Sequence, residues 1–135
     1  MIFNIDVASS VPIYAQIITQ VKHAIAAGVL RTGDSLPSLR ETATKLRVNP
    51  LTVAKAYREL EMNGVVITEH GRGTFIGDNS PNLGEEYRQE ALNQAVDRMV
   101  VEASQLGASS DVVLFTVRER LKTIFKDGEP RRNSK

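Results

Sequence analysis

The chain has 135 residues, a length that allows one compact domain with a modest appendage. Its net charge at neutral pH is +1. It contains no cysteine, which excludes disulfide bonds and thiolate metal sites. No apolar run approaches the ~18–20 residues of a membrane span, and the N-terminus lacks a signal-peptide pattern, so we expect a soluble cytoplasmic protein with no membrane partner.

The charged residues are unevenly distributed along the chain. Residues 36–76 contain six lysines and arginines against four glutamates, whereas residues 78–111 contain two basic and seven acidic residues. Residues 112–135 are basic again, with seven basic residues against three acidic ones. This pattern excludes a uniformly basic surface for nucleic acid, but it allows a local basic patch within residues 36–76.

The N-terminal segment predicts an extended arm followed by a helix. Phe3, Ile5 and Val7 alternate with polar residues, and the sequence does not show what this arm packs on. Pro12 is predicted to begin the first helix and Gly28 to close it. The apolar stripe of this helix consists of Ile13, Ile17, Val21, Ala24 and Ile25.

Two short helices with few residues between them are predicted next. Ser38 and Glu41 have the spacing of a capping box, in which each side chain satisfies a backbone amide of the other residue. Asn49 is predicted to cap the second helix, with Pro50 at the first helical position, where its missing N–H costs nothing. The predicted buried seam of the second helix consists of Val53, Ala56, Tyr57 and Leu60.

Helices joined this closely must cross steeply, which is the geometry of a helix-turn-helix whose second helix fits the DNA major groove. Any small helical domain has helix pairs, so the segment that follows decides between the two interpretations. Residues 65–69 and 74–76 are β-branched runs joined by a glycine-containing turn, which predicts a hairpin with Arg72 at its tip. Ser35-Leu36 is expected to add a third strand. This combination is typical of a winged helix-turn-helix.

Three segments resemble the DNA-binding domain of the GntR family of transcriptional regulators. They read GVLRTGDSLPSLRE from Gly28, VNPLTVAKAYRELEMNG from Val48 and GRGTF from Gly71. The second segment and the short C-terminal part are similar to the YtrA-type branch in particular. The resemblance covers about residues 10–77, and it implies a repressor that binds double-stranded DNA as a homodimer at an inverted-repeat operator.

The resemblance also implies that Arg40 is a principal DNA contact; the alternative is a surface ion pair with Glu41, worth well under 1 kcal/mol. Gly71 and Gly73 leave Arg72 exposed at the tip of the wing, from which we expect it to enter the minor groove. The full set of predicted DNA-binding residues is Ser38, Arg40, Arg47, Asn49, Pro50, Leu51, Thr52, Lys55, Arg58, His70, Gly71, Arg72, Gly73 and Thr74.

Two of these positions depart from the family pattern. Glycine usually occupies the position of Arg47, because the chain there tends toward left-handed dihedrals, and another residue costs roughly 1 kcal/mol. Arg47 either reaches a phosphate or is only exposed to solvent. Leu51 stands where a polar residue is commoner, and it either contacts a thymine methyl group or is merely tolerated.

The fold class predicted from these signals is mainly α with a small β-wing. Residues 1–77 are expected to form the winged helix-turn-helix domain, and residues 78–135 a linker and a two-helix hairpin. The linker is predicted at Gly77–Pro81 and the long helix from Asn82 to Gly107. A last helix, capped by Ser109 or Ser110, should end at Asp127-Gly128. The tail from about residue 128 is expected to be mobile.

Two helices alone cannot bury their apolar faces in a core, so these faces must pack against another surface. They either pack back on the first helix and the wing or pair with the same hairpin of a second copy. The dimer is favoured, since a single winged helix reads only a few base pairs and the YtrA-type branch is dimeric. The expected interface residues are Leu92, Val96, Met99, Val100, Leu114, Val117, Leu121 and Phe125. The sequence marks no effector pocket.

Two other classes of function are disfavoured. An enzyme needs a clustered nucleophile and base or a set of metal ligands. Two histidines and scattered carboxylates do not supply these, so we expect no catalytic residue, metal or cofactor. A winged helix used only for protein contacts would present an apolar or acidic face, whereas this one carries Thr52, Lys55 and Arg58 beside Arg40 and Arg72.

Overall fold

A computed structural model describes residues 3–126 and 129–130 of the chain. The described part is mainly helical with a small three-stranded sheet, as the sequence predicts, and a second sheet of two short strands, which the sequence does not predict. Its elements are α1 (Ile13–Ala26), β1 (Ser35–Leu36), α2 (Leu39–Leu46), α3 (Pro50–Met62), β2 (Val66–Glu69), β3 (Gly73–Ile76), α4 (Ser80–Gln105), α5 (Ser110–Ile124), β4 (Phe125–Lys126) and β5 (Glu129–Pro130). None of the helices in these ranges is long and apolar enough to span a membrane.

The chain divides into two compact units, the first ending at Glu90 and the second beginning at Ala91. The first unit has one hydrophobic core. Helices α1 and α2 both pack on α3, and β2 covers it as well. The predicted seam of α3 is buried, and the fully buried side chains of this core include Ile17, Val21, Val53, Leu60, Val65, Val66 and Ile76.

The local signals at the start of α2 and α3 have the predicted geometry. Ser38 Oγ accepts from the Glu41 amide at 3.0 Å, and the Glu41 carboxylate accepts from the Ser38 amide at 2.9 Å, so the capping box is confirmed. Asn49 Oδ1 accepts from the Leu51 amide at 2.9 Å, and Pro50 is the first residue of α3. Both caps therefore define the first residue of their helices through local hydrogen bonds alone.

Strands β1, β3 and β2 form an antiparallel sheet in that order, which confirms the predicted hairpin and its third strand. Leu36 pairs with Thr74 across β1 and β3. Glu69 pairs with Gly73, so the wing turn consists of the three residues 70–72. Because β1 leads directly into α2, this sheet places the start of α2 beside an arm of the wing.

The N-terminal arm lies along α1, bound through two glutamine side chains one helical turn apart. The Gln20 amide exchanges hydrogen bonds with the backbone of Asn4, and Gln16 does the same with Asp6. Phe3 is buried in the core. Glutamine amides thus satisfy the backbone groups that a neighbouring strand would otherwise pair.

The segment predicted as a linker is partly helix, so that prediction is wrong for Ser80 and Pro81. Helix α4 begins at Ser80, which is 1% exposed and whose Oγ lies 2.9 Å from Thr32 Oγ1. One turn later, a Cβ on Gly84 would lie 3.0 Å from a methyl carbon of Ile25, so a larger residue there would push against α1. Residues up to 90 therefore belong to the first compact unit, beyond the boundary expected at 77.

The second unit contains the rest of α4 together with α5, which Ser109 caps by accepting from the Val112 amide. None of the residues of α5 is buried. Helix α5 ends at Ile124, not at Asp127-Gly128, because Phe125 is extended and begins β4, which pairs with β5. Residues 127–128 and 131–135, on which the predicted helix end and most of the predicted mobile tail fall, lie outside the described residues.

Candidate nucleic-acid interface

Arg40 lies in the first turn of α2, two residues after the Ser38 cap. Its side chain is exposed, and within the described chain no ion pair joins it to Glu41. The Glu41 carboxylate instead accepts the Ser38 amide, and this hydrogen bond, with the one from the Ser38 side chain, lowers the pKa of Glu41 below its ordinary value. The guanidinium of Arg40 is therefore available to a ligand.

Helix α3 presents the side chains predicted to face the major groove. Leu51 is 74% exposed, Arg58 is exposed, and Thr52 is half-buried. Lys55 is exposed as well, but its ammonium lies 3.9 Å from the ring centroid of Tyr14 in α1. This cation–π contact holds the lysine side chain in one position on the surface.

Arg47 ends α2 in the left-handed conformation, with φ 56° and ψ 45°. It is the one residue other than glycine with a positive φ among the described residues. The conformation allows its backbone amide to reach the Thr44 carbonyl, and the chain then turns into Asn49 and α3. The side chain is exposed, which fits either of the two roles predicted for it.

The wing turn is short because Gly71 and Gly73 adopt φ angles of 77° and 124°, which side chains disfavour. Arg72 projects between them and is mostly exposed. Its guanidinium lies 3.1 Å from the Glu69 carboxylate and 5.7 Å from the ring centroid of Phe75. The free wing therefore holds its arginine over the hairpin by an exposed ion pair, which is a weak interaction.

Two contacts join the start of α2 to α3 and to the wing. The first is the pairing of Leu36 in β1 with Thr74 in β3, the strand that directly follows the wing turn. The second is a hydrogen bond from the Tyr57 hydroxyl of α3 to the Pro37 carbonyl at 2.8 Å. Burial raises the pKa of Tyr57, so the hydroxyl keeps its proton for this bond. The cap, α3 and the wing therefore form one connected surface.

All of the predicted DNA-binding residues remain accessible, with Thr52 and Thr74 half-buried and the others exposed. The sequence prediction missed three residues that hold members of this set in place. Tyr14 contacts Lys55 and Tyr57 bonds the loop before Arg40; neither pairing has a sequence signal, since the partners lie in different elements. Glu69 lies three residues before Arg72, and its opposite charge could have identified it.

Within the described residues, no group of three or more His, Cys, Asp or Glu side chains could hold a metal ion. The surface consists instead of a capped helix pair, a second helix that presents Lys55 and Arg58, and a glycine-flanked arginine on a wing. This arrangement defines a winged helix-turn-helix of the class that binds duplex DNA.

Residues 13–76 match the model of the gntR family of bacterial regulatory proteins. The chain is 40% identical over 124 residues to the HTH-type transcriptional repressor YtrA of Bacillus subtilis (strain 168), covering 92% of each protein. The chain therefore belongs to the GntR family. It is a DNA-binding transcriptional regulator.

Solved structures agree with this assignment. The fold is similar to that of a transcriptional regulator from Oenococcus oeni, with a TM-score of 0.75 and 34% identity, covering 87% of this chain and 97% of that one. It is also similar to YtrA from Sulfolobus acidocaldarius, a GntR-family transcription factor, with a TM-score of 0.53 and 40% identity. That match covers 69% of this chain and 99% of the other.

Proposed function

We propose that the protein is a cytoplasmic transcriptional repressor that binds an inverted-repeat operator as a homodimer. The repressor role is supported by the similarity to B. subtilis YtrA, which is named a repressor and matches over nearly its whole length. Each copy supplies one winged helix, and the two-fold symmetry of the dimer matches that of the operator. Half-site centres then lie about one helical turn, ~10 base pairs, apart.

The observation that carries the dimer is the apolar surface of the second unit. Leu92 is 54% exposed and Val100 is 47% exposed, and α5 has no buried residue at all. Between α4 and α5 lies an apolar groove of about 610 Å³, lined in part by Met99, Val117 and Leu121. So much contiguous apolar surface on a two-helix unit favours a second copy that covers it.

In each half-site, we assign the base contacts to the start of α2 and to α3. Arg40 is proposed to bind a guanine edge with two hydrogen bonds, since its guanidinium is exposed and its backbone is fixed by the Ser38 cap. Lys55 and Arg58 lie on the same helix and add charge for the adjacent phosphates. Arg72 enters the minor groove from the wing.

Two variants that each add one negative charge to α4 test the dimer. Val96 belongs to the exposed apolar set, whereas Gln94 lies two residues earlier and therefore on the opposite side of the helix. We expect Val96→Asp to sediment as a monomer and to protect a single half-site weakly in footprints. Gln94→Asp should remain dimeric and protect both half-sites. A wild-type monomer at micromolar concentration would contradict the proposal.

A further inference from the structure

The Tyr57 hydroxyl is buried between two partners that lie on either side of Arg40 in the sequence. Its oxygen is 2.8 Å from the Pro37 carbonyl oxygen and 2.9 Å from Thr42 Oγ1. A carbonyl can only accept, so Tyr57 donates its single proton to Pro37. Thr42 must then donate its own hydroxyl proton to Tyr57. The three groups form one directed chain of hydrogen bonds.

The two partners bracket the first turn of α2. Pro37 directly precedes the Ser38 cap, and Thr42 is the fourth residue of the helix. Arg40 lies between them, and Tyr57 comes from α3. A single hydroxyl thus ties both ends of the turn that carries Arg40 to the helix expected to lie in the major groove.

Packing alone does not require these hydroxyls. Tyr57 is 8% exposed and Thr42 is 2% exposed, so a phenylalanine and a valine would fill the same space with apolar atoms. A buried hydroxyl raises the free energy of the fold unless it is hydrogen-bonded, and paired hydroxyls fix direction as well as distance. The hydrogen bonds of these hydroxyls therefore fix the position of the α2 backbone relative to α3.

We propose that Tyr57, with Thr42, is a positioning residue for Arg40, holding its helical turn in register with α3. The guanidinium and the side chains of α3 then enter the same major groove without rearrangement when DNA binds. This inference rests on the proposed contact between Arg40 and a base. Tyr57 itself does not need to touch the DNA.

The test measures the affinity of Tyr57→Phe for a duplex selected by the wild-type protein from a randomised pool, and for a scrambled duplex. We expect about three- to tenfold weaker binding to the selected duplex, since loss of one buried hydrogen bond leaves its partners unpaired. Binding to the scrambled duplex and the salt dependence of affinity should not change, because no phosphate contact is lost.

A double-mutant cycle with Arg40→Ala decides whether Tyr57 acts through Arg40. In the Arg40→Ala background, Tyr57→Phe should have almost no further effect on the selected duplex. If Tyr57→Phe weakens binding equally in both backgrounds, the positioning role is wrong while the Arg40 contact stands. If Arg40→Ala alone leaves the affinity unchanged, the proposed Arg40 contact fails and the inference fails with it.

Two further comparisons separate positioning from general stability. Thr42→Val removes the hydroxyl and should weaken binding to the selected duplex, whereas Thr42→Ser keeps it and should restore that binding. Ile17→Val loosens the core at α1 without touching the hydrogen-bond chain, and Tyr87→Phe removes a hydroxyl from α4. Both controls should bind the selected duplex as the wild type does. Equal losses in Ile17→Val would overturn the inference.

Discussion

Lys55 of α3 holds its ammonium 3.9 Å from the ring centroid of Tyr14 in α1. The lysine is therefore positioned before any DNA arrives, by a residue from a helix that carries none of the predicted contacts. A cation–π contact at an exposed site is worth about 0.5–1 kcal/mol. Such a contact lowers the entropy that the side chain loses on binding a phosphate.

We expect Tyr14→Leu to lower the free energy of unfolding by about 0.5–1 kcal/mol, whereas Tyr14→Phe, which keeps the ring, should change it little. Lys55→Ala should weaken binding to any duplex and reduce the slope of log affinity against log salt by about one. Lys22→Ala in α1 is the matched control and should leave that slope unchanged. Urea unfolding and salt titrations of duplex binding measure the two effects. An unchanged slope in Lys55→Ala would show that this lysine makes no phosphate contact.

Arg47 combines backbone strain with a predicted phosphate contact, and two variants separate them. Arg47→Asn tolerates the left-handed conformation and should raise the free energy of unfolding by up to about 1 kcal/mol. It should also weaken duplex binding and lower the salt slope by about one. Arg47→Lys keeps both the charge and the strain, so it should match the wild type in both measurements. If Arg47→Asn binds as tightly as wild type, the arginine is only exposed to solvent.

The sequence predicts the elements of the first unit well because their signals are local. Ser38, Glu41 and Asn49 accept from amides within the first turn of their own helices, and Pro50 lacks an N–H that would be unpaired there. Spacing alone therefore identifies them. The positive φ at Arg47 is implied instead by the family resemblance, since glycine usually occupies this position. Capping motifs of this kind can be identified without knowing which elements pack against each other in the fold.

The features that the sequence does not predict depend on contacts between distant segments. The partners of Gln16 and Gln20 lie in the arm, and a polar glutamine on a helix has no periodic signal of its own. The composition before Asn82 is equally typical of a linker and of a helix start, because Ser and Pro are favoured in both. The hydrogen-bonding distance between Ser80 and Thr32 decides between them. Only the folded chain shows it.

The capping box makes part of the stability dependent on pH. Hydrogen bonds from the Ser38 amide and side chain lower the pKa of Glu41, so the folded state favours the carboxylate. This contribution is present above the ordinary glutamate pKa of about 4.3 and is lost as the pH falls through the lowered value. Glu41→Gln keeps an acceptor for the Ser38 amide but does not titrate at this position.

We therefore expect the wild type to be more stable than Glu41→Gln at neutral pH and the difference to shrink as the pH falls below about 4. Urea unfolding of both proteins at a series of pH values measures it. Glu61→Gln, at an exposed position near the end of α3, controls for general charge effects. A difference that stays constant across the acid range would show that the Glu41 carboxylate does not stabilise the cap.

Glu69 and Arg72 form an ion pair at 3.1 Å on the wing, with 41% and 72% of their side chains exposed. Such a pair adds little to stability, but we expect its carboxylate to compete with DNA phosphates for the same guanidinium. We expect Glu69→Gln to bind both an operator and a scrambled duplex more tightly, at an unchanged free energy of unfolding. Arg72→Ala should weaken binding to both duplexes by similar factors and flatten the salt dependence.

The double variant Glu69→Gln/Arg72→Ala shows whether Glu69 affects DNA binding through Arg72. If Glu69 acts by holding Arg72, Glu69→Gln should tighten binding much less in the Arg72→Ala background than in the wild type. Footprints on operators with A·T-rich and G·C-rich flanks then test the minor-groove contact, since the narrower A·T-rich groove attracts arginine more strongly. The wild type should prefer A·T flanks and Arg72→Ala should not. Equal binding to both flanks by both proteins would exclude entry of Arg72 into the minor groove.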